Sequence, residues 1–331
     1  MSRALGCIVV FFTLGVFTAS VAPAAEPELV LKGATAWKKD YIFNAGYWEF
    51  TRQVEKRSGG KIKVDWKGGP EISSPFEMLG LVQRGVLDVL GGAGAYDSAK
   101  IPEGVFLEYF VGDTSELRQA GVTKFFDQVT QKRAGVKLLG LSSGPVEFAI
   151  FTKNPVTSIA QFKGMKMRST PTYLPLGQAL GATMIQVPWP DVYNALERGV
   201  VDGYFAPVIG TLSTKLYEQV CCMLKPHFWT VRTWMYISLD KWNKLTPEQQ
   251  KVLTDSMIAV EGWTPGFYND YIGKEVNTLV SKHGMKIHEL KGDEAKRFRT
   301  MAYESSWKKY LPNSPEYGKQ IREMARKLED R

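Results

Sequence analysis

A twelve-residue pattern that occurs twice constrains this chain more than any other feature. EMLGLVQRGVLD (Glu77–Asp88) is matched by DVYNALERGVVD (Asp191–Asp202). Each copy starts on an acid, runs at helical spacing, turns at Arg-Gly and closes on a strand ending in Asp. A glycine directly after a helix is the usual terminator, because it alone adopts the left-handed conformation without cost. Two copies more than a hundred residues apart imply two similar α/β units.

The surrounding sequence agrees. Leu29–Ala34 reads as a strand, Ala45–Lys56 as a helix and Lys61–Trp66 as a strand of alternating polar and apolar residues. A helix capped by Ser74 and a strand at Leu87–Leu90 follow, with Gly91–Gly94 as a loop lining a cleft. Such alternation predicts a parallel sheet covered by helices on both faces. The pattern resumes with strands at Val136–Leu141, Phe148–Thr152 and Met165–Arg168, and with another opening at Val200–Tyr204 and one at Trp234–Leu239. From Thr246 the chain reads as mostly helical, with an N-cap threonine, a proline at the first helical position and an acid in the first turn. Ligands of open α/β sheets bind beyond the carboxyl ends of the strands, and clefts between domains are favoured sites.

Other features limit function. Arg3, the apolar run Leu5–Val16 and the small residues Val21–Ala25 have the layout of a secretory signal peptide. The apolar run is short for a membrane span, and the alternative is an uncleaved anchor. Without residues 1–25 the formal charge of +8 loses Arg3 alone and becomes +7. The basic residues are scattered among acids, so the balance suits small anions better than nucleic acid. The remaining cysteines, Cys221 and Cys222, are neighbours, which disfavours a disulfide. They read as small buried apolar residues. No G-x-S-x-G elbow, H-E-x-x-H pair, P-loop or compact group of metal ligands is visible, and three histidines make poor material for catalysis. A binding protein without metal or cofactor is expected, rather than an enzyme.

Several segments together resemble one family. IAQFKGMKMR (Ile159–Arg168) is similar to the "xDLKGxKxR" segment of the solute-binding proteins of tripartite ATP-independent periplasmic (TRAP) transporters. VPWPDVYNALERGVVDG (Val187–Gly203) resembles their "EVYxALQxGVVDG" signature. KRSGGKIKV (Lys56–Val64), Glu77–Asp88 and LTPEQQKVL (Leu245–Leu253) fit in order, so the resemblance covers nearly the whole chain beyond the signal segment. It implies a two-lobed α/β binding protein of the periplasmic (class II-like) kind, with a ligand cleft between lobes and a long C-terminal helix bridging them. The lobes would comprise residues 26–148 with about 233–270, and 149–232 with about 271–331. It implies a monomer in the periplasm that takes an organic acid to integral membrane subunits of a TRAP transporter. It also implies that Arg168 grips the ligand carboxylate, for which a planar guanidinium fork is well suited.

The departures bear on the ligand. Where relatives read "VDGQENP", this chain has VDGYFAP (Val201–Pro207), which places Tyr204, Phe205 and Ala206 at usually polar positions. A second arginine, frequent in relatives, has no counterpart, and Glu147 stands near its place. Trp189 sits where relatives often carry a ligand-packing aromatic. Trp189 and Phe205 also fit ordinary core packing, and Glu147 fits a solvated or paired acid. With Trp37, Tyr96 and Trp234 as further candidates, these residues suggest a monocarboxylate with an apolar or aromatic body. A C4-dicarboxylate, a sugar acid, or a ligand sensed on behalf of a receptor are the alternatives. Cell fractionation is expected to recover the protein in the periplasm, with a mature N-terminus at Ala25 or Glu26 by mass spectrometry.

Overall fold

The computed structural model describes residues 26–329; the signal segment lies outside the described residues. Eleven strands form two sheets. In chain order they are β1 (Leu29–Thr35), β2 (Ile62–Gly68), β3 (Val89–Ala93), β4 (Val136–Leu141), β5 (Val146–Thr152), β6 (Lys166–Ser169), β7 (Thr183–Gln186), β8 (Gly203–Pro207), β9 (Cys222–Val231), β10 (Thr233–Ser238) and β11 (Lys286–Glu289). One sheet has the order β2-β1-β3-β10-β4, the other β11-β9-β5-β8-β6-β7. The chain passes between sheets from β4 to β5 through Ser142–Pro145, and back from β9 to β10 through Arg232 alone.

Both sheets are mixed rather than purely parallel. β1 runs parallel to β2 and β3, and β6 parallel to β7 and β8. β10 is antiparallel to both its neighbours, and β5 to both of its own. The crossings are the reason: a strand that enters a sheet directly from the other sheet has no helical crossover to restore its direction.

The repeated pattern folds twice into one device. Its helices, Met78–Gln83 and Val192–Glu197, are each six residues long. Gly85 and Gly199 follow with φ of 71° and 69°. The N–H of Val86 bonds to the carbonyl of Leu81 at 3.0 Å, and that of Val200 to Ala195 at 2.9 Å, the six-to-one bond of a Schellman turn. Asp88 and Asp202 lie just before β3 and β8 rather than at strand ends. Asp88 Oδ2 accepts the backbone N–H of Lys32 in β1, and Asp202 Oδ2 that of Lys166 in β6, both at 2.8 Å. The aspartates are therefore clasps between parallel neighbours and not ligand groups. The helix read as capped by Ser74 begins later, at Met78, after a turn. Gly91 and Gly92 belong to β3, and Gly94 opens a short helix, so no loop runs there.

The helix Pro247–His283 is 37 residues long and opens as its sequence predicts: Thr246 Oγ1 accepts from the Gln249 N–H at 3.2 Å, and Gln249 Oε1 from the Thr246 N–H at 3.0 Å. Two buried carboxylates fasten it. Glu261 pairs with Arg118 and accepts the Leu141 N–H at 2.9 Å, beside the first sheet. Glu275 accepts the N–H groups of Gly210 and Leu212 at 2.8 and 2.9 Å, in the loop after β8. Burial raises both carboxyls, and the Arg118 charge or the backbone donors offset only part of that rise.

Cys221 and Cys222 are joined in a disulfide, against expectation. Adjacency restricts such a bridge without forbidding it, and here the pair stands at the mouth of β9, where the Cys221 N–H is held by the Thr152 carbonyl at 3.0 Å.

Asp88→Ala and Asp202→Ala are each expected to cost about 1–3 kcal/mol in chemical denaturation, because each leaves a backbone donor without its acceptor. The clasps sit in different sheets, so the double variant should lose the sum within about 0.5 kcal/mol.

Candidate functional site

The carboxyl ends of strands from both sheets converge on one aromatic pocket. β1 leads to Trp37 and Tyr41, β3 to Tyr96, β6 carries Arg168 and Thr170, and β7 leads to Trp189. Beside Arg168 the space is about 40 Å³, walled further by Phe43, Tyr173 and Glu108. Past Trp37, Tyr41 and Trp189 it continues into a depression of about 280 Å³ edged by Tyr193, Ser213 and Lys215. Tyr41 and Trp189 approach across it with ring centroids 5.9 Å apart.

Arg168 is 2% exposed. Its Nε donates to the Val187 carbonyl at 2.9 Å and one terminal nitrogen to the Phe205 carbonyl at 3.2 Å. The guanidinium carbon lies 5.4 Å from the centre of the Trp189 ring. Among the described residues no carboxylate forms a salt bridge with it. Burying a charge is costly without a partner of opposite sign, and backbone carbonyls orient this cation without neutralising it. Burial raises the phenol pKa of Tyr96 and Tyr173, and the positive charge of Arg168 offsets part of each rise, as expected for rings at its side.

Glu108 gives the pocket a second charge-bearing group. It lies on the 3-10 segment Pro102–Tyr109 and is 3% exposed. Gly94 and Gly104 let this segment press against the end of β3, since a Cβ at Gly94 would collide with the Gly104 carbonyl. No hydrogen bond among the described residues engages its carboxylate. Burial pushes Glu108 up to about 8, against the opposing pull of the Thr172 hydroxyl and the Arg232 charge. Its Oε2, Thr170 Oγ1 and Trp189 Nε1 are buried without a protein partner. Buried polar atoms are normally paired, so three orphans around one small space point to a ligand or water there.

Of the expected site residues, Arg168, Trp189, Tyr96 and Trp37 meet in this pocket. Tyr204 and Phe205 are fully buried behind it: Tyr204 stacks on Phe151 at 4.8 Å, and the Phe205 ring lies 5.9 Å from that of Tyr173. They alternate along β8 and pack in the core, while the Phe205 carbonyl serves Arg168. Trp234 is also core; its Nε1 donates to Asp97 at 3.1 Å. Glu147 lies 3.3 Å from His227, half-exposed in a separate depression. It is not among the residues that line the space beside Arg168. Tyr41, Phe43, Tyr173 and Glu108 were not foreseen; their motifs are those of ordinary core segments.

Two sheets joined by crossing strands and a long helix, with a buried arginine held by backbone carbonyls where their strand ends meet, define a two-lobed solute-binding protein. Residues 33–313 match the model of the bacterial extracellular solute-binding proteins, family 7, and the chain belongs to that family, which supplies the solute-binding component of TRAP transporters. A TRAP periplasmic solute-binding protein from Desulfovibrio salexigens, solved with bound orotic acid, superposes with a TM-score of 0.82 at 19% identity, over 90% of this chain and 98% of that one. An extracytoplasmic solute receptor from Bordetella pertussis, solved with pyroglutamic acid, gives 0.79 at 16%, over 90% and 99%. In sequence, a solute-binding protein of Roseobacter denitrificans is 22% identical over 83% of this chain and 85% of its own length. An uncharacterised protein of Sinorhizobium fredii is 29% identical over 51% of this chain, which spans only 32% of that protein. No helix among the described residues is long and apolar enough to cross a membrane.

Trp189→Leu is expected to weaken ligand binding at least tenfold, since it removes the face beneath Arg168. Glu147→Gln and Trp234→Phe are expected to change affinity less than threefold, and Trp234→Phe to lower the melting temperature. Calorimetric titration and thermal melting of the three variants check this.

Proposed function

We propose that this protein captures a small organic acid in the periplasm, as a monomer, and delivers it to the membrane subunits of a TRAP transporter. One observation carries the reading: Arg168, buried and oriented by two carbonyls, has no carboxylate partner among the described residues. A ligand carboxylate would complete it with charge-assisted, bidentate hydrogen bonds. The bound orotic and pyroglutamic acids of the two structural relatives are carboxylates, which supports the same class here.

The walls favour a ligand with a compact apolar or aromatic body. Trp37, Tyr41, Phe43, Tyr96, Tyr173 and Trp189 offer ring faces, against few polar groups. An extended sugar acid has many hydroxyls to satisfy, and a dicarboxylate would bring a second negative charge with no second free cation among the residues lining the space beside Arg168.

The test is a thermal-shift screen of organic acids followed by titration, because a ligand that binds only the folded state raises its melting temperature. The strongest hit is expected to be a carboxylate with a cyclic or aromatic body. Arg168→Ala should cost about 2–5 kcal/mol, roughly thirtyfold or more in affinity, with the fold intact. Arg168→Lys should fail nearly as badly, since lysine lacks the fork. Binding within a few-fold of wild type in either variant would sink the clamp role.

A further inference from the structure

We infer that the ligand is a zwitterion, its carboxylate held by Arg168 and a protonated nitrogen held by Glu108 within the aromatic cage. The inference rests on the carboxylate-binding reading and adds the second half of the ligand.

Arg168 and Glu108 line the same small space, yet no salt bridge joins them. An arginine and a glutamic acid buried in one pocket would ordinarily be paired, because a buried charge left alone is expensive. Neither is paired elsewhere. Arg168 spends two donors on carbonyls, and Arg232, the cation nearest to Glu108 in effect, is turned to the carbonyls of Phe110 and Gly112. Glu108 Oε2 has no partner at hydrogen-bond geometry among the described residues, although the Thr172 hydroxyl stands near the carboxyl. The site therefore presents one cation and one acid, separated and each incomplete. A molecule carrying both charges with opposite polarity satisfies the two at once and leaves the pocket neutral.

The walls suit the nitrogen end. Aromatic faces attract cations, and a desolvated contact gains more than an exposed one. Tyr41, Tyr96 and Tyr173 stand around the space between the two groups. Burial favours the protonated Glu108 carboxyl when the pocket holds no cation, and an ammonium brought beside it favours the ionised form by pairing with it. A simple apolar acid would cover Glu108 and leave it unpaired. Glu147, the acid among the site candidates read from sequence, lies in a separate depression beside His227, and Glu108 is the acid that lines this pocket.

The test uses matched acids that differ at one ring atom or substituent: piperidine-2-carboxylate against cyclohexanecarboxylate, pyrrolidine-2-carboxylate against cyclopentanecarboxylate, and phenylalanine against 3-phenylpropionate. Thermal shift and calorimetry are run on the wild-type chain and on Glu108→Gln and Arg168→Ala. At least one nitrogen-bearing acid is expected to bind more than tenfold tighter than its partner. Glu108→Gln, which keeps the shape and removes the charge, should erase that preference while leaving the melting temperature of the free protein as high or higher. Arg168→Ala should abolish binding of both members. The zwitterion reading is overturned if no nitrogen-bearing acid binds, if the carbon analogues bind as tightly, or if Glu108→Gln keeps the preference. Arg168-dependent binding of plain or sugar acids alone would overturn it and leave the carboxylate reading standing. Carboxylate binding that ignores Arg168 would sink both.

Discussion

A guanidinium buried without a counter-charge is the constraint around which this molecule is arranged. Arg168 keeps its place because β6 is flanked by β7 and β8, whose ends deliver the Val187 and Phe205 carbonyls to its nitrogens. The Trp189 ring fixes its remaining face. Carbonyl oxygens are partial charges, so they set direction and leave most of the electrostatic cost unmet. A site that is held rigid and left unneutralised would bind an anion at little further cost, since little ordering remains to be done.

Rigidity at Arg168 contrasts with the way the two sheets are joined. Among the described residues the chain passes between them by two short crossings and the long helix, and a single residue, Arg232, separates β9 from β10. The pocket takes walls from both sheets, with Trp37 and Tyr41 facing Trp189 across it. Ligand contacts would then contribute directly to holding the two halves together, the arrangement by which hinged binding proteins couple capture to closure. Glu261 and Glu275 anchor the long helix to segments of each half, so it acts as a strut fixed at two interior points by buried carboxylates rather than by apolar contact alone.

The local devices were open to reading from sequence because short-range chemistry sets them. Arg-Gly after a helix dictates the Schellman turn at Gly85 and Gly199, and Thr-Pro-Glu-Gln dictates the start of the helix at Pro247, whatever the rest of the chain does. The alternation of strands and helices, and the position of Arg168 at a strand end beside the doublet of Trp189 and the second repeat, follow from periodicity and spacing in the same way. The mixed character of the sheets did not follow, because strand direction depends on which sheet the chain enters after a crossing.

Tertiary structure alone decided which side chains share a space. Tyr204 and Phe205 alternate faces on β8 and turn into the core; Glu147 turns outward toward His227; Trp234 is held inside by Asp97. Glu108 lies in an apolar segment that nothing marks in sequence, and it reaches the pocket only because Gly94 and Gly104 let two backbones touch. By itself the sequence determined two α/β units and their turns, while the expectation that Arg168 meets an anion came from the resemblance to a family. What stands opposite that arginine was settled by long-range packing, because the partners come from segments distant in the chain and their facing directions depend on register and close approach, which no local pattern encodes.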